Sequence, residues 1–308
     1  MPELPEVETV VRELHKKLAG RTISTVDVRS FKLVAVGPEG LGNKRVGSKS
    51  IAGRFAKSLQ GVQVVAVRRR AKLLIFELSG SHTLFVHLKM TGQFIFEDPA
   101  LRAKTGSKYR ILNKLSAPLV QLPSKHTHVV FQFTDGSTLY FNDMRQFGYL
   151  KLVADDAVAQ IQELQDYGPE PLDKSFTSEQ FILAVQRRAK SPIKLVLMDP
   201  AVVVGIGNIY SDEILFCAGV RPERLVSTLS TAELQRIFEA IGPVLRQGIR
   251  AKGSSVGDFV RTDGAWGSMG KYHFVYGRKK QACKVCGSMI ESMKMGGRTA
   301  CFCPQCQK

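Results

Sequence analysis

Apolar residues first recur on a helical period. Val7, Val10, Val11, Leu14 and Leu18 share one face of a helix predicted over 5–19, and Gly20 supplies its stop. The period then changes. Alternating or β-branched runs at 22–29, 62–68, 73–79, 83–88, 129–133 and 137–141 predict strands, and Asp135-Gly136 between the last two marks a hairpin. Several strands separated by turns imply an antiparallel sandwich or barrel. The stretch 97–125, with Lys104, Lys108, Arg110 and Lys114, is polar and basic without a clear period and is expected to be a loop. Gly168-Pro169-Glu170-Pro171 breaks the chain, and helical spacing follows it. Helices are predicted over 178–190 and 208–217. A longer one opens on a capping box, Ser230 with Glu233, and runs through Leu234, Ile237, Ile241, Leu245 and Ile249, with a kink expected at Pro243. Gly and Ser return at 253–257, ahead of a Cys-rich tail, and no internal repeat is present.

Composition narrows the picture. The 308 residues suffice for two compact domains, and no apolar run reaches the roughly 18 residues of a membrane span. Met1-Pro2-Glu3-Leu4-Pro5-Glu6 carries acid where a signal peptide carries base and apolar bulk, so a cytoplasmic location is expected. Lys and Arg total 44 against 27 Asp and Glu, a net charge of +17, which points to a polyanionic partner. Residues 253–308 hold nine Lys/Arg and three Asp/Glu. A solvated basic surface would carry the same charge, whereas a lipid surface is disfavoured because no long basic amphipathic helix is present.

Five of the six cysteines fall in the last 26 residues. Cys283-x2-Cys286, sixteen residues, then Cys303-x2-Cys306 is four-thiolate spacing, in which a hairpin brings two Cys pairs to opposite faces of one tetrahedral Zn²⁺. Four protein ligands leave no position for water, so one zinc ion is expected, in a structural role. Cys301 is a spare whose spacing fits less well. Arg298, five residues before Cys303, falls on the hairpin, either as a phosphate contact or as an ordinary exposed arginine.

The chain start offers a different chemistry. A small residue at position 2 permits removal of Met1, leaving Pro2 as a free secondary amine with Glu3 and Glu6 close behind it. An α-amine of pKa near 8 is partly neutral and nucleophilic at physiological pH. Attack on a sugar C1′ would form an iminium that cannot shed its charge by losing an N–H, and that cation acidifies the neighbouring C2′ proton. Glu3 could donate to the ring oxygen. On its own, Pro at position 2 equally suits a merely stable N-terminus.

Met1-Pro2-Glu3-Leu4-Pro5-Glu6-Val7-Glu8-Thr9 resembles the opening of the formamidopyrimidine-DNA glycosylase family, whose members remove 8-oxoguanine and ring-opened purines. Further resemblances follow in chain order. Arg69-Arg70-Ala71-Lys72-Leu73-Leu74 is similar to the family's basic strand, and His87-Leu88-Lys89-Met90-Thr91-Gly92 to its His-Leu-Gly-Met-Ser-Gly loop. Asp143-Met144-Arg145-Gln146-Phe147-Gly148 resembles Asp-Pro-Arg-Arg-Phe-Gly. Ile193-Lys194, Leu197-Met198-Asp199 and Val204-Gly205-Ile206-Gly207-Asn208-Ile209-Tyr210 resemble its helix–two-turns–helix element, and Val275-Tyr276-Gly277-Arg278-Lys279 leads into the zinc hairpin.

The resemblance implies an α+β fold: an N-terminal antiparallel β-sandwich flanked by helices (1–152), a linker (153–172), a helical helix–two-turns–helix domain (173–270) and a four-Cys zinc hairpin (271–308), with DNA between the two domains. It further implies a monomeric bifunctional glycosylase/lyase acting on damaged double-stranded DNA. Pro2 would be the Schiff-base nucleophile, Glu3 the proton donor, Lys72 the aid to β-elimination and Arg298 the residue acting on δ-elimination. Base flipping leaves a hole. Met90 and Phe147 are the wedge types, or core residues, and Arg145 is placed to read the orphaned cytosine, or to form a surface ion pair. His87, His126, Lys190, Lys194 and Asn208 are implied backbone contacts, and the Gly205-x-Gly207 turn could cradle a phosphate at a helix start.

Departures from the family pattern sit around the opposite-base reader. Lys89 replaces a glycine, Met144 and Gln146 replace Pro and Arg, and 97–125 is longer than the usual segment. Gly253-Ser254-Ser255-Val256-Gly257-Asp258-Phe259 resembles the loop that caps the flipped base, with Gly257 where a basic residue is often found. Two alternatives stay open: the endonuclease VIII branch, specific for oxidised pyrimidines, against which Leu4 speaks because that branch has Gly there, and a zinc-hairpin DNA-binding protein without catalysis.

Overall fold

The computed structural model describes residues 1–38, 47–109, 119–256 and 259–308, the Glu163 side chain excepted. Gly257 and Asp258, together with Arg110 and Lys114, lie outside the described residues. Two compact units divide the chain. The first comprises Met1–Pro2, Glu6–Gln165 and Lys252–Gly267; the second comprises Glu3–Pro5, Asp166–Ala251 and Ser268–Lys308.

The first unit is a two-sheet sandwich. Its elements begin with α1 (Leu4–Leu18, whose first two residues count with the second unit), β1 (Ile23–Val28), β2 (Val34–Val36), α2 (Lys49–Leu59), β3 (Val64–Arg70) and β4 (Leu73–Leu78). They continue with β5 (His82–His87), β6 (Gly92–Glu97), α3 (Pro99–Thr105), β7 (Lys108–Tyr109), β8 (Val120–Gln121) and β9 (Thr127–Phe133). β10 (Thr138–Asp143), β11 (Tyr149–Ala154) and α4 (Gln162–Gln165) complete it. One sheet runs β1-β9-β10-β6 and the other β2-β11-β5-β4-β3, antiparallel throughout except for the parallel β2–β11 pair. Phe94, Phe131 and Phe141 of the first sheet, Leu74, Val86 and Leu150 of the second, and Val7, Val10, Leu14 and Leu18 of α1 share one core. The predicted apolar face of α1 is thus the face that packs.

Within 97–125, the described residues 97–109 and 119–125 are more ordered than their composition predicts. Asp98 caps α3 by accepting the Leu101 N–H at 2.7 Å, Gly106 closes the helix at φ 57, and β7 pairs with β8.

In the second unit, α5 spans Ser178–Gln186, α6 Ile193–Leu197, α7 Asn208–Ala218 and α8 Thr231–Arg250, followed by the hairpin β12 (Glu291–Met295) and β13 (Arg298–Phe302). α5 stops four residues short of its predicted end. Ser191 precedes Pro192, which disfavours helix at that position, and Arg187–Lys190 pass into turns. The Ser230–Glu233 capping box is present, and α8 continues through Pro243. No helix among the described residues is long and apolar enough to cross a membrane.

The units cross the expected domain boundaries in two places. Residues 153–165 pack with the first unit, where Ile161 joins Leu73, Phe85 and Val153. Residues 252–267 also return to it.

Candidate active site and zinc hairpin

In the first unit the candidate wedge residues converge around a buried acid. Asp143 ends β10 fully buried and accepts from Gly148 N–H at 2.7 Å, from Arg145 N–H at 3.1 Å and from the Thr91 hydroxyl. One carboxylate therefore ties the β5–β6 loop to the β10–β11 loop. Gly148 suits this position, since a Cβ would stand 3.0 Å from Asp143 Oδ2 and from the His87 carbonyl oxygen. On this frame the Arg145 guanidinium lies 4.6 Å from the centre of the exposed Phe147 ring, and its Nη1 is 2.9 Å from Met90 Sδ. Sequence brings Met90, Arg145 and Phe147 no nearer than two loops; the structure makes them one cluster. Lys89 adopts φ 49 and Gln146 φ 52, the left-handed region that glycine enters freely, so the residue replacing the family's glycine is held against its own preference.

Lys72 sits on a two-residue turn, because Arg70 pairs with Leu73 across the β3–β4 ladder, and Ala71 takes φ 54. Arg69 holds this turn, donating Nη1–H to the Ala71 carbonyl at 3.0 Å and Nε–H to Glu8 at 3.0 Å. Burial raises the Glu8 pKa, but hydrogen bonds and charge from Arg69 and Arg12 outweigh it and hold the carboxyl below its ordinary range. At the end of β5, His87 Nδ1 accepts the Lys89 N–H at 2.9 Å. Burial, reinforced by the charges of Lys89 and Lys72, pushes this imidazole down to about 3. The ring is therefore neutral at physiological pH, and with Nδ1 accepting, Nε2 carries the proton. His126 is half-buried, its ring also pushed below the ordinary range by burial, and its carbonyl accepts the Asp143 N–H at 2.9 Å.

In the second unit, Glu3 lies against the start of α7. Its carboxylate accepts from Gly207 N–H at 2.8 Å, Ile209 N–H at 2.8 Å and Tyr210 N–H at 3.3 Å. A Cβ on Gly207 would stand 2.5 Å from the Glu3 carboxyl carbon, and one on Gly205, at φ 87, would stand 2.6 Å from Leu4. This corrects the phosphate-cradle expectation: the anion occupying those helix N–H groups is the chain's own Glu3. Lys194 departs from expectation as well. It is fully buried in α6 and ion-pairs with Asp212, whose other oxygen accepts the Cys301 N–H at 3.0 Å. Burial pushes Asp212 up to about 7, with Lys194 opposing. A lysine so enclosed joins α6, α7 and β13 rather than reaching a phosphate. Lys190 is exposed, beyond the end of α5. Asn208 donates its amide to the Thr299 carbonyl at 3.1 Å, fastening the start of α7 to the strand that carries Arg298. Arg298 follows a two-glycine turn, Gly296 at φ 54 and Gly297 at φ 73, and stands exposed on the hairpin with Nη1 3.8 Å from Met198 Sδ.

The four cysteines meet as their spacing predicts. The Sγ atoms of Cys283, Cys286, Cys303 and Cys306 all lie within 4.8 Å of one another, with Cys283–Cys306 at 3.9 Å and Cys286–Cys303 at 3.4 Å. Tetrahedral zinc at about 2.3 Å from each sulfur needs separations of about 3.8 Å, so the set fits. Val285 and Cys306 N–H groups point at Cys283 and Cys303 sulfurs, each at 3.4 Å, as thiolate acceptors require. Cys301 faces elsewhere, buried beside Phe216 and Val275.

Sequence reasoning left Asp143, Asp212 and Arg69 without roles although all stand in or beside the motifs. The available signal was chemical: a charged side chain within a buried strand or helix must find a hydrogen-bond partner. Glu6, in sequence a carboxylate near Pro2, accepts the Ser254 N–H at 2.7 Å.

Comparison with known proteins agrees with this geometry. Residues 1–150 match the formamidopyrimidine-DNA glycosylase N-terminal domain, 167–260 its H2TH domain, and 280–308 the zinc finger found in FPG and IleRS. The chain is 37% identical to a formamidopyrimidine-DNA glycosylase of Pelotomaculum thermopropionicum, covering 100% of this chain and 99% of the relative. Lactococcus lactis Fpg in complex with abasic-site DNA superposes with a TM-score of 0.81 at 30% identity, covering 99% of both chains. The wild-type Lactococcus lactis protein with N7-benzyl-Fapy-dG DNA gives 0.81 at 31% identity, covering 100% of both. The chain belongs to the formamidopyrimidine-DNA glycosylase family.

Proposed function

We propose that this protein is a base-excision repair enzyme that removes oxidised purines from double-stranded DNA and then cleaves the strand, using Pro2 as nucleophile. The observation that carries this is the seating of Glu3, the residue bonded to Pro2, on three N–H groups at the start of α7. Once Met1 is removed, the Pro2 amine attacks C1′ and passes its own proton to the Glu3 carboxylate, the bond from C1′ to the base breaks, and the base leaves with a proton from solvent. Proton donation to the sugar ring oxygen, assigned to Glu3, opens the ring and leaves an iminium on Pro2. Loss of the C2′ proton expels the 3′ phosphate, and a second elimination expels the 5′ phosphate.

Lys72, on a turn held by Arg69, is assigned to the first elimination, and Arg298, exposed after its two-glycine turn, to the second. Met90, Arg145 and Phe147 form the wedge that fills the vacated stack, and His87, with its neutral ring and Nε2–H, donates to the backbone. Lys190 and Asn208 are assigned to phosphates, as is His126. The zinc site supplies folding free energy to the hairpin rather than chemistry. We place the protein in the cytoplasm, monomeric, on chromosomal DNA.

Product analysis on a duplex with one 8-oxoguanine opposite cytosine tests the assignments. Wild type is expected to leave phosphate on both sides of the gap, and Arg298→Ala to accumulate the product of the first elimination alone. Unchanged products from Arg298→Ala would remove that arginine from the mechanism.

A further inference from the structure

Residues 98–109 and 119–123 form an arm within the first unit, and its contacts lead back toward the N-terminus. Its anchor is Glu97, fully buried at the end of β6, which receives Arg102 Nε at 2.8 Å, the Tyr109 hydroxyl at 3.1 Å and the Tyr140 hydroxyl at 3.3 Å. Arg102 also reaches the Thr138 hydroxyl of β10 at 2.9 Å. The arm thereby covers the outer face of the four-stranded sheet, where Tyr109 and Leu122 pack with Ile95, Val130 and Tyr140.

The same apolar cluster includes Val260, with Trp266 packed against it, and a Cβ on Gly264 would stand 3.4 Å from the Tyr109 ring. Those residues belong to 252–267, the segment that returns to the first unit after α8. Its middle is pinned by Thr262, which donates N–H to Glu13 of α1 at 3.0 Å and accepts the Phe96 N–H at 2.9 Å. Its two ends meet: Gly267 donates to Ser255 Oγ at 2.9 Å, and a Cβ on Gly267 would stand 2.2 Å from the Gly253 carbonyl oxygen. Its early part then rests on the first turn of α1, where Ser254 donates to Glu6 and a Cβ on Gly253 would stand 2.9 Å from Glu6 Cγ. Continuous contacts therefore run from the arm, through Tyr109 and Trp266, to a loop lodged four residues from the Pro2 nucleophile.

We propose that Tyr109 and Trp266 are positioning residues for base excision: the arm braces 259–267 and so holds the 253–256 loop against Glu6, where the loop meets the base to be excised. This rests on the function proposed above. The loop stands against Glu6, and the base hangs from the carbon that Pro2 attacks. A slackened loop accordingly affects recognition and excision of the base, while a sugar that has already lost its base does not feel it.

The experiment measures single-turnover excision of 8-oxoguanine and cleavage of a preformed abasic site in wild type, Tyr109→Ala, Tyr109→Phe and Trp266→Ala. Amide hydrogen exchange is followed over 253–256 in the same proteins. Expected are a fall of about tenfold in excision for Tyr109→Ala and Trp266→Ala, abasic-site cleavage within about twofold of wild type, excision mostly restored in Tyr109→Phe, and faster exchange at 253–256 with α1 unchanged. Equal loss of both activities, or unaltered exchange at 253–256, would overturn the proposal. Should Tyr109→Ala fail to fold, Trp266→Ala carries the comparison. Should wild type lack both activities, the functional reading fails, and hydrogen exchange alone decides whether the arm braces the loop.

Discussion

At the scale of single residues the site is organised by buried acids. Asp143 binds two loops with one carboxylate, so Asp143→Ala leaves the Gly148 amide and the Thr91 hydroxyl without their acceptor and the Arg145 amide with Thr91 Oγ1 in its place. Such a loss costs about 2–3 kcal/mol. Chemical denaturation is expected to show it, together with weakened lesion binding as Met90, Arg145 and Phe147 lose a common frame; unchanged stability would mean the carboxylate is dispensable. His87 gives a pH dependence. The folded imidazole takes up its proton only near pH 3, whereas the unfolded one does so near 6.5, so between these values the unfolded chain binds more protons. Stability is therefore expected to fall as pH drops below about 6.5, and His87→Gln to show a shallower fall. His273, which burial pushes down to about 4, leaves a residual slope in that variant. Parallel pH profiles for His87→Gln and wild type would contradict the assignment.

At the scale of elements, legibility followed burial pattern. The helix from Leu4, the α8 capping box and the strands with one wet face were readable because their periods are clean. β6 was not: every residue of Gly92–Glu97 is buried, Phe94 and Phe96 facing the sandwich core and Ile95 the arm, whereas the equally buried β10 had the Asp135-Gly136 turn to mark it. A strand covered on both sides has no alternation to read. α3 is only seven residues long, so its cap and its terminal glycine were its only signals. In the zinc hairpin the ligands were legible from spacing alone, whereas the coupling of Asn208 to Thr299 depends on tertiary contact. That coupling yields a prediction. Stripping zinc with a strong chelator is expected to lower the thermal stability of the second unit and to weaken binding to abasic-site DNA, since Arg298 loses its hairpin. Full binding in zinc-free protein would show that the hairpin folds without the metal.

For the whole molecule, a net charge of +17 makes association with DNA steeply salt-dependent. Charge alone does not say which lysines take part, and the structure separates two that looked alike in sequence. Lys190→Ala is expected to reduce the salt slope of binding by about 0.9, one phosphate contact's worth. Lys194→Ala should leave the slope unchanged and instead destabilise the fold by about 3–5 kcal/mol, because Asp212 is left buried and unpaired. Titration of both variants across ionic strength, beside their unfolding curves, checks the distinction. A slope change in Lys194→Ala at intact stability would return it to the DNA surface.

The claim on which the rest depends is covalent chemistry at Pro2, and borohydride trapping on a duplex carrying one 8-oxoguanine opposite cytosine tests it most directly. Reduction converts the iminium into a permanent link between protein and DNA. Wild type is predicted to give that adduct, with the link mapping to Pro2 of a chain lacking Met1, and Pro2→Gly and Glu3→Gln to lose it or form it far more slowly. A duplex bound tightly by a protein with a demonstrably free Pro2, yet giving no adduct on this lesion or on an abasic site, would contradict the account.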